Sequence, residues 1–217
     1  MLQNLPFDIR RIHEAYTCGV RPADVIDEVY RRINEVADPG IFLHLLEREK
    51  VLRKAKKLTS FDLSKNPLWG IPFAIKDNID VNGLATTAAC PEFSYIAKED
   101  AFVVDLLLRA GAILIGKTNL DQFATGLVGT RTPFPFPKNA LDPNIVPGGS
   151  SSGSAIAVSL GLVSFSLGTD TAGSGRVPAA LNGIVGLKPT LGALSNTGIV
   201  PACRTLDTVS IFSQLVE

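Results

Sequence analysis

Cysteine and histidine are scarce in this chain of 217 residues, and the small number of each excludes several kinds of site. The three cysteines, Cys18, Cys90 and Cys203, are an odd number without C-x-x-C spacing. This argues against a disulfide framework and against a cysteine-rich zinc site, so no metal is expected. A reducing, cytoplasmic compartment is the expectation. The two histidines, His13 and His44, lie on segments predicted to be surface helices, and each is predicted to be an ordinary exposed side chain.

The chain also has no excess of either charge and no long apolar run. Lysine plus arginine equals aspartate plus glutamate, 21 of each, so no nucleic-acid partner is expected. The longest weakly polar run, Ala155 to Gly168, contains serines and is too short to span a bilayer. The N-terminus carries charges where a signal peptide needs an apolar segment. With 46% hydrophobic and 19% charged residues, the sequence predicts a soluble globular protein without a membrane partner.

The first sixty residues carry most of the helical periodicity. Pro22 suits a first helical turn. The apolar residues that follow it at helical spacing share one face and predict a surface helix: Val25, Ile26, Val29, Ile33 and Val36. Leu45 to Leu58 is predicted to form a second helix with a solvated charged face. We therefore expect residues 1–60 to be a helical region that packs on an α/β core formed by residues 61–217.

After residue 60 the sequence pattern changes to short runs of β-branched residues separated by glycine and proline. Four segments read as strands: residues 72–76, 112–117, 162–170 and 183–188. Asp100 to Gly111 is predicted to form an amphipathic helix that ends at the glycine. Further helices are expected from Ala155 and from Val177. Alternating strands and helices indicate an α/β fold, with a layered core.

Two glycine- and serine-rich clusters precede these last two helices, at residues 148–154 and 168–176. Both place backbone N–H groups at a helix start, where they can hold negative charge. The first cluster matches the G-x-S-x-G nucleophile elbow in letters, but that fold needs a histidine after the serine, and none follows. The second resembles a P-loop, except that Ser174 stands where the phosphate-binding lysine must be. Neither of these mechanisms fits the chain.

If a serine is the nucleophile, its base must be something other than histidine. Lysine is the obvious candidate, because burial can lower its pKa toward neutrality. Lys76 ends the apolar run "GIPFAIK", so its stem would be enclosed while its amine emerges at the end of a strand. Taken alone, the same lysine also reads as an ordinary surface residue at a strand terminus.

Three motifs together resemble the amidase signature family: "GIPFAIKDNIDV", "PGGSSSGSA" and "GTDTAGSGRVPAALNGIVGLKPT". Members of that family hydrolyse amides with a Ser–cis-Ser–Lys triad and no cofactor. The resemblance implies that Ser174 is the nucleophile, that Ser150 is the bridging serine beside a cis peptide, and that Lys76 is the base. The spacings fit, because 150 − 76 = 74 and 174 − 150 = 24 residues. The implied fold has a mixed central β-sheet covered by helices.

The resemblance also implies roles for the residues around the triad. The backbone N–H groups of Thr171, Ala172, Gly173 and Ser174 match the oxyanion hole of the family. The residues matched to substrate binding or to support of the same loop are Gly149, Ser151 and Arg176. Arg176 can offer a bidentate fork to a substrate carboxylate, and a structural salt bridge is the equal alternative.

Within the family, "TTAACPEFSY" and "GIVPACRTLDTVSIF" are most similar to the allophanate-hydrolysing subgroup. This implies a small anionic amide substrate, allophanate, in urea or s-triazine breakdown. A general amidase or an A-type component of a glutamyl-tRNA amidotransferase remains the alternative. Amidase domains of this family are about twice as long, so the chain is expected to be the N-terminal half of one, and an inactive fragment is a third reading. A homodimer is possible by analogy.

Overall fold

The computed structural model describes residues 2–3, 5–58 and 61–216. The helices are α1 (Ile9–Thr17), α2 (Pro22–Val36), α3 (Arg48–Lys56), α4 (Phe102–Arg109), α5 (Ser152–Ser159) and α6 (Arg176–Leu181). The strands are β1 (Phe42–Leu45), β2 (Pro72–Lys76), β3 (Ala85–Thr86), β4 (Tyr95–Ile96), β5 (Ile113–Thr118), β6 (Phe165–Asp170), β7 (Val185–Leu187) and β8 (Thr208–Ser213). Short 3₁₀ turns lie at Pro91–Phe93 and Gln122–Ala124. The predicted α/β fold with a central mixed sheet is confirmed.

The central sheet has the strand order β1-β5-β2-β6-β8-β7. β2 runs parallel to both β5 and β6, whereas the outer pairings, β1 with β5, β6 with β8 and β7 with β8, are antiparallel. Every residue of β2, β5 and β6 is buried. This explains their continuous apolar character, since parallel strands covered on both faces do not alternate. The carboxyl ends of these three strands meet at one edge, which positions the site described below.

The N-terminal helices pack on the same hydrophobic core as the sheet. α1 is capped by Asp8, whose side chain accepts from the Arg11 N–H at 2.9 Å. α2 begins with Pro22 as expected, and it ends at Ala37 in a left-handed conformation with φ 48°. The expected boundary between residues 60 and 61 adjoins positions 59 and 60, which lie outside the described residues.

One predicted helix was wrong at its start. Leu45 belongs to β1, and the helix begins at Arg48 rather than at Leu45. The reason is a partner distant in sequence: β1 pairs with β5, and the Leu46 N–H continues this contact to the Ile115 carbonyl at 3.0 Å. Pairing across a sheet satisfies backbone groups that a local pattern assigns to a helix.

The two histidines are placed differently from expectation. His44 is exposed, as predicted, but it lies on strand β1 opposite Lys117 and not on a helix. His13 lies on α1, yet it is partly buried against the rings of Tyr16 and Phe61, with centroids 6.3 and 5.8 Å away. Burial lowers its pKa. In the described part of the chain, no helix is long and apolar enough to cross a membrane.

Candidate active site

Lys76 ends the central strand β2 and is completely buried. Its Nζ donates to the Ser150 Oγ at 2.7 Å and to the Thr169 Oγ1 at 2.8 Å. Ser150 is 74 residues away along the chain, and Thr169 reaches the lysine from the adjacent parallel strand β6. The structure therefore brings together the lysine and the bridging serine that the sequence singles out.

Burial lowers the pKa of Lys76 to about 7, because the low-dielectric interior disfavours the charged amine. The carboxylates of Asp121, Asp170 and Asp207 oppose this shift and raise the pKa. No salt bridge to Lys76 exists among the described residues. A lysine with this pKa is substantially neutral at pH 7 and can accept a proton from a hydroxyl.

Ser150, the predicted bridging serine, lies in a tightly packed loop. The Gly149–Ser150 peptide bond is cis, as the resemblance implies, and Gly148 has a φ of 78°. The N–H groups of Gly148 and Gly149 donate to the carbonyls of Val128 and Leu127 at 3.0 and 2.9 Å. A side chain at position 149 would come within 2.1 Å of the Asp121 Oδ2, so only glycine fits there. The Gly-Ser cluster is therefore ordered by packing and is not a linker.

Asp170 shapes the loop that carries the predicted nucleophile. Its buried carboxylate accepts from the N–H groups of Gly173, Gly175 and Arg176 at 2.8, 3.1 and 3.1 Å. Its pKa falls to about 2, because these hydrogen bonds and the Arg176 side chain outweigh the effect of burial. The carboxylate thus fixes the turn around Ser174 and the entry into α6.

Ser174 is buried, and its Oγ lies 3.5 Å from the Gly126 carbonyl oxygen. Its own carbonyl accepts from the Ser151 N–H at 3.2 Å, which ties the two serine loops together. Among the hydrogen bonds of the described residues, none joins the hydroxyls of Ser150 and Ser174. The contact from lysine to bridging serine is thus made in this structure, whereas the transfer from Ser150 to Ser174 stays a prediction.

The expected oxyanion donors divide into two groups. The N–H groups of Thr171, Ala172 and Ser174 make no hydrogen bond to any described residue. These amides are available to a ligand. The N–H of Gly173 instead donates to Asp170 at 2.8 Å, and its role as an oxyanion donor stays a prediction. The cause is the position of the Asp170 carboxylate beneath the turn, which the sequence pattern does not reveal.

The residues matched to substrate binding or support are occupied by contacts within the protein. Arg176 donates from Nε and Nη2 to the two oxygens of Asp170, both at 3.0 Å, so its fork already binds a carboxylate. The Ser151 Oγ donates to the Thr169 carbonyl at 3.2 Å. Gly149 acts through its backbone and its lack of a side chain. The substrate-binding roles of these residues stay predictions.

Three polar residues of the site were not identified from the sequence. Thr169 binds Lys76 directly, Asp121 folds the loop beside Ser150, and Asp207 accepts a hydrogen bond from the Thr171 hydroxyl. Thr169 lies near the end of a predicted strand and Asp207 lies in a quoted motif, whereas Asp121 follows the predicted strand 112–117 by four residues. In the described part of the chain, no three side chains of histidine, cysteine, aspartate or glutamate are placed to hold a metal ion.

Comparison with known proteins identifies relatives that share this fold. The model of the family described as Amidase matches residues 24–217. Urea amidolyase of Saccharomyces cerevisiae is 57% identical over 173 residues, which are 79% of this chain and 9% of that protein. The A component of the glutamyl-tRNA(Gln) amidotransferase of Geobacillus thermodenitrificans is 46% identical over 200 residues, which are 90% of this chain and 41% of that protein.

A solved structure has the same fold as this chain. Kluyveromyces lactis allophanate hydrolase superposes with a TM-score of 0.86 at 46% identity, covering 96% of this chain and 35% of that one. The chain thus spans less than half the length of each of these relatives. The family match covers most of the chain and includes all three motifs. The chain therefore belongs to the amidase signature family, and within it resembles the amidase domain of allophanate hydrolase and urea amidolyase.

Proposed function

We propose that this chain provides the catalytic residues of an allophanate hydrolase, with Ser174 as nucleophile, Ser150 as proton relay and Lys76 as base. The observation that carries the proposal is the buried contact of 2.7 Å between the Lys76 amine and the Ser150 hydroxyl. A fully buried amine without an ion partner in the described residues destabilises the fold, and it is typical of a functional site. The substrate is inferred from the similarity to urea amidolyase and allophanate hydrolase.

The proposed reaction proceeds through an ester intermediate. Neutral Lys76 takes a proton from Ser150, and Ser150 takes one from Ser174 as the Ser174 Oγ attacks the terminal carboxamide carbon. The C–N bond then breaks, and ammonia leaves with the proton that returns along the relay. Water hydrolyses the ester by the same path and restores Ser174.

Backbone N–H groups would stabilise the oxyanion that forms during this attack. The free amides of Thr171, Ala172 and Ser174 are the candidates, because their hydrogen-bonding capacity is unused within the described residues. Losing one such donor typically raises the barrier by about 2.7–4 kcal/mol. Toward the carboxylate of allophanate, Arg176 can still offer the two N–H groups of Nη1 and the second N–H of Nη2, since Nε and one N–H of Nη2 bind Asp170.

A second candidate is the amide-hydrolysing component of a glutamyl-tRNA amidotransferase. The observation that favours it is the wider match, 90% of this chain against 79% for the S. cerevisiae urea amidolyase. The chemistry at Ser174 would be the same, and only the amide would differ. Glutamine would then replace allophanate as the source of ammonia.

Ammonia release by the full-length protein distinguishes the candidates. We expect release from allophanate and much slower release from malonamide and glutamine. Ser174→Ala should lower kcat by about 10³-fold or more, because the nucleophile is removed. The matched control is Ser64→Ala, which alters an exposed serine in a surface turn and should leave the rate unchanged.

Three results would contradict the proposal in different ways. Undiminished release by the Ser174→Ala variant would exclude the proposed nucleophile. Preference for glutamine over allophanate would favour the amidotransferase candidate. Absence of release from all three amides by a cooperatively folded protein would favour the reading of an inactive chain.

A further inference from the structure

Asp121 is a completely buried carboxylate beside the site with no cationic partner among the described residues. It follows β5 by three residues. Its Oδ2 accepts from the Gly129 N–H at 3.0 Å, and its Oδ1 accepts from the Arg131 N–H at 2.8 Å. Both donors belong to the backbone of residues 126–131, which we call the glycine loop. Burying an unpaired charge is costly, so this arrangement calls for an explanation.

The glycine loop contacts both serine-bearing segments. The carbonyls of Leu127 and Val128 accept from the N–H groups that precede Ser150, and the Gly126 carbonyl lies 3.5 Å from the Ser174 Oγ. Asp121 also reaches the serine loop directly, because its own N–H donates to the Ser150 carbonyl at 3.0 Å. One residue therefore ties the glycine loop, the bridging serine and the surroundings of the nucleophile together.

The packing around the carboxylate leaves no freedom at two positions. A methyl group added at Gly149 would lie 2.1 Å from the Asp121 Oδ2, and one added at Gly126 would lie 2.7 Å from the same oxygen. Contacts below 3.0 Å are not tolerated without movement of neighbouring atoms. The absence of a side chain at Gly126 and Gly149 therefore leaves the space that the Asp121 carboxylate occupies.

The charge of Asp121 also acts on Lys76. Three carboxylates oppose the effect of burial on the lysine, and the effect of Asp121 is the largest of them. Asp170 is neutralised in part by its ion pair with Arg176, and Asp207 is hydrogen-bonded to the Thr171 hydroxyl and to the backbone of residues 202 and 203.

The carboxylate next to Lys76 in the chain is neutralised by an ion pair. Asp77, the next residue in the chain, is paired with Lys117 of β5 at 2.9 Å. The neighbours of the amine itself, Ser150 and Thr169, are neutral hydroxyls. Of the three carboxylates that act on Lys76, Asp121 thus has the largest effect, and among the described residues no ion pair offsets its charge.

We propose that Asp121 is a positioning residue of the amidase site: its buried carboxylate holds the glycine loop against the two serine segments, and its negative charge acts on the buried Lys76 that contacts Ser150. The proposal rests on the proposed function only in taking Lys76 as the base and Ser174 as the nucleophile. It does not depend on which amide is the substrate.

The test is the pH dependence of Ser174 labelling by a fluorophosphonate in the full-length protein, which reports the reactivity of the nucleophile without any amide substrate. In the parent protein we expect the rate to rise with pH around 7, as Lys76 becomes neutral. Asp121→Asn removes the charge and also presents an NH₂ group to one of the two loop donors. In this variant we expect the pH range over which the labelling rate rises, the rising limb of the pH profile, to move about 1 pH unit lower. The plateau rate should fall between about 10-fold and 100-fold through misplacement of the loops.

A second neutral variant, Asp121→Ser, separates the loss of charge from the effect of the asparagine amide. Asp105→Asn is the matched control, because that aspartate forms an exposed pair with Arg109 on α4, and it should leave limb and plateau unchanged. If the rising limb of the pH profile stays at the parent position in both Asp121 variants, the proposal is overturned even if the plateau rate of labelling falls. An unchanged plateau, or loss of the cooperative thermal transition in both variants, would also overturn it. If Ser174 of the parent is not labelled, the proposed function itself fails.

Discussion

Two buried lysines, Lys76 and Lys117, end or nearly end neighbouring strands, yet their partners give them different roles. Lys76 contacts two hydroxyls. Lys117 forms an ion pair with Asp77 at 2.9 Å and donates to the Thr86 Oγ1 at 2.7 Å. Burial lowers the pKa of both lysines, but for Lys117 the adjacent Asp77 opposes this and favours the charged form. At the residue scale, the partner therefore distinguishes the two lysines: Lys117 directly contacts a carboxylate, whereas Lys76, the proposed base, contacts only hydroxyls.

Breaking the Asp77–Lys117 pair from one side should be costly. Lys117→Met leaves the buried Asp77 carboxylate without its partner and should lower the free energy of unfolding by about 3–5 kcal/mol. The double variant Asp77→Asn, Lys117→Met should lose less, because no buried charge remains. Urea denaturation of each variant measures both values. The control is Lys65→Met, whose pair with Asp62 is exposed and should contribute less than about 1 kcal/mol. Equal losses in the single and double variants would contradict the ion-pair explanation.

At the scale of elements, helix α5 is buried on nearly all sides, and its first turn packs directly against the backbone at the end of β5. The Gly153 N–H donates to the Asn119 carbonyl at 3.1 Å, and the Asn119 N–H donates to the Ile41 carbonyl at 3.0 Å. This backbone-to-backbone contact has no room for a side chain. It also fixes the start of the helix immediately after Ser151, and thereby the direction of the serine loop.

A methyl group at position 153 should therefore destabilise the fold. In Gly153→Ala, the new Cβ would lie 2.3 Å from the Ile41 carbonyl oxygen and 2.7 Å from the Asn119 nitrogen. We expect a loss of about 1–3 kcal/mol in the free energy of unfolding, measured by urea denaturation. Gly192→Ala is the matched control, since its Cβ would meet nothing within 4 Å and only its φ of 80° is unfavourable. If the two variants lost the same stability, close packing at position 153 would not be the cause.

At the scale of the whole molecule, the parallel strands β5, β2 and β6 place the ends of three distant segments at one edge of the sheet. Ligand sites in α/β proteins are commonly found at the carboxyl ends of the strands. The same burial that stabilises the sheet removes water from Lys76, so the site and the fold cannot be stabilised independently. The unfolded chain, by contrast, exposes this lysine to water with its ordinary pKa of 10.5.

This difference predicts how stability depends on pH. Between pH 7 and pH 10.5 the unfolded chain holds a proton on Lys76 that the folded chain does not, so raising the pH stabilises the folded state. The free energy of unfolding, measured by urea denaturation, should therefore rise with pH in the parent relative to Lys76→Met. The slope should be at most about 1.4 kcal/mol per pH unit. A difference between parent and variant that is constant across this range would show that the pKa of Lys76 is not lowered.

Much of the fold was predictable where the signal is local. The β2 boundaries and the end of α4 near Gly111 match the sequence analysis, because a short apolar run and a glycine stop are properties of adjacent residues. β8 was not named as a strand, and the end of β1, His44 and Leu45, was taken as helical, since both strands depend on partners distant in sequence. The helices predicted from Ala155 and Val177 begin at Ser152 and Arg176 instead.

The sequence by itself determined the family and the side chains that we propose as catalytic: a lysine at the end of an apolar strand and two serines within glycine-rich turns, in an order that the resemblance assigns to an amidase. Only the tertiary structure decided their environment. It placed Thr169 on the Lys76 amine, directed the Gly173 N–H to Asp170, and closed the Arg176 fork on the same carboxylate. The physical reason is that burial and electrostatic coupling depend on groups that are close in space but distant along the chain, so no local pattern of residues records them.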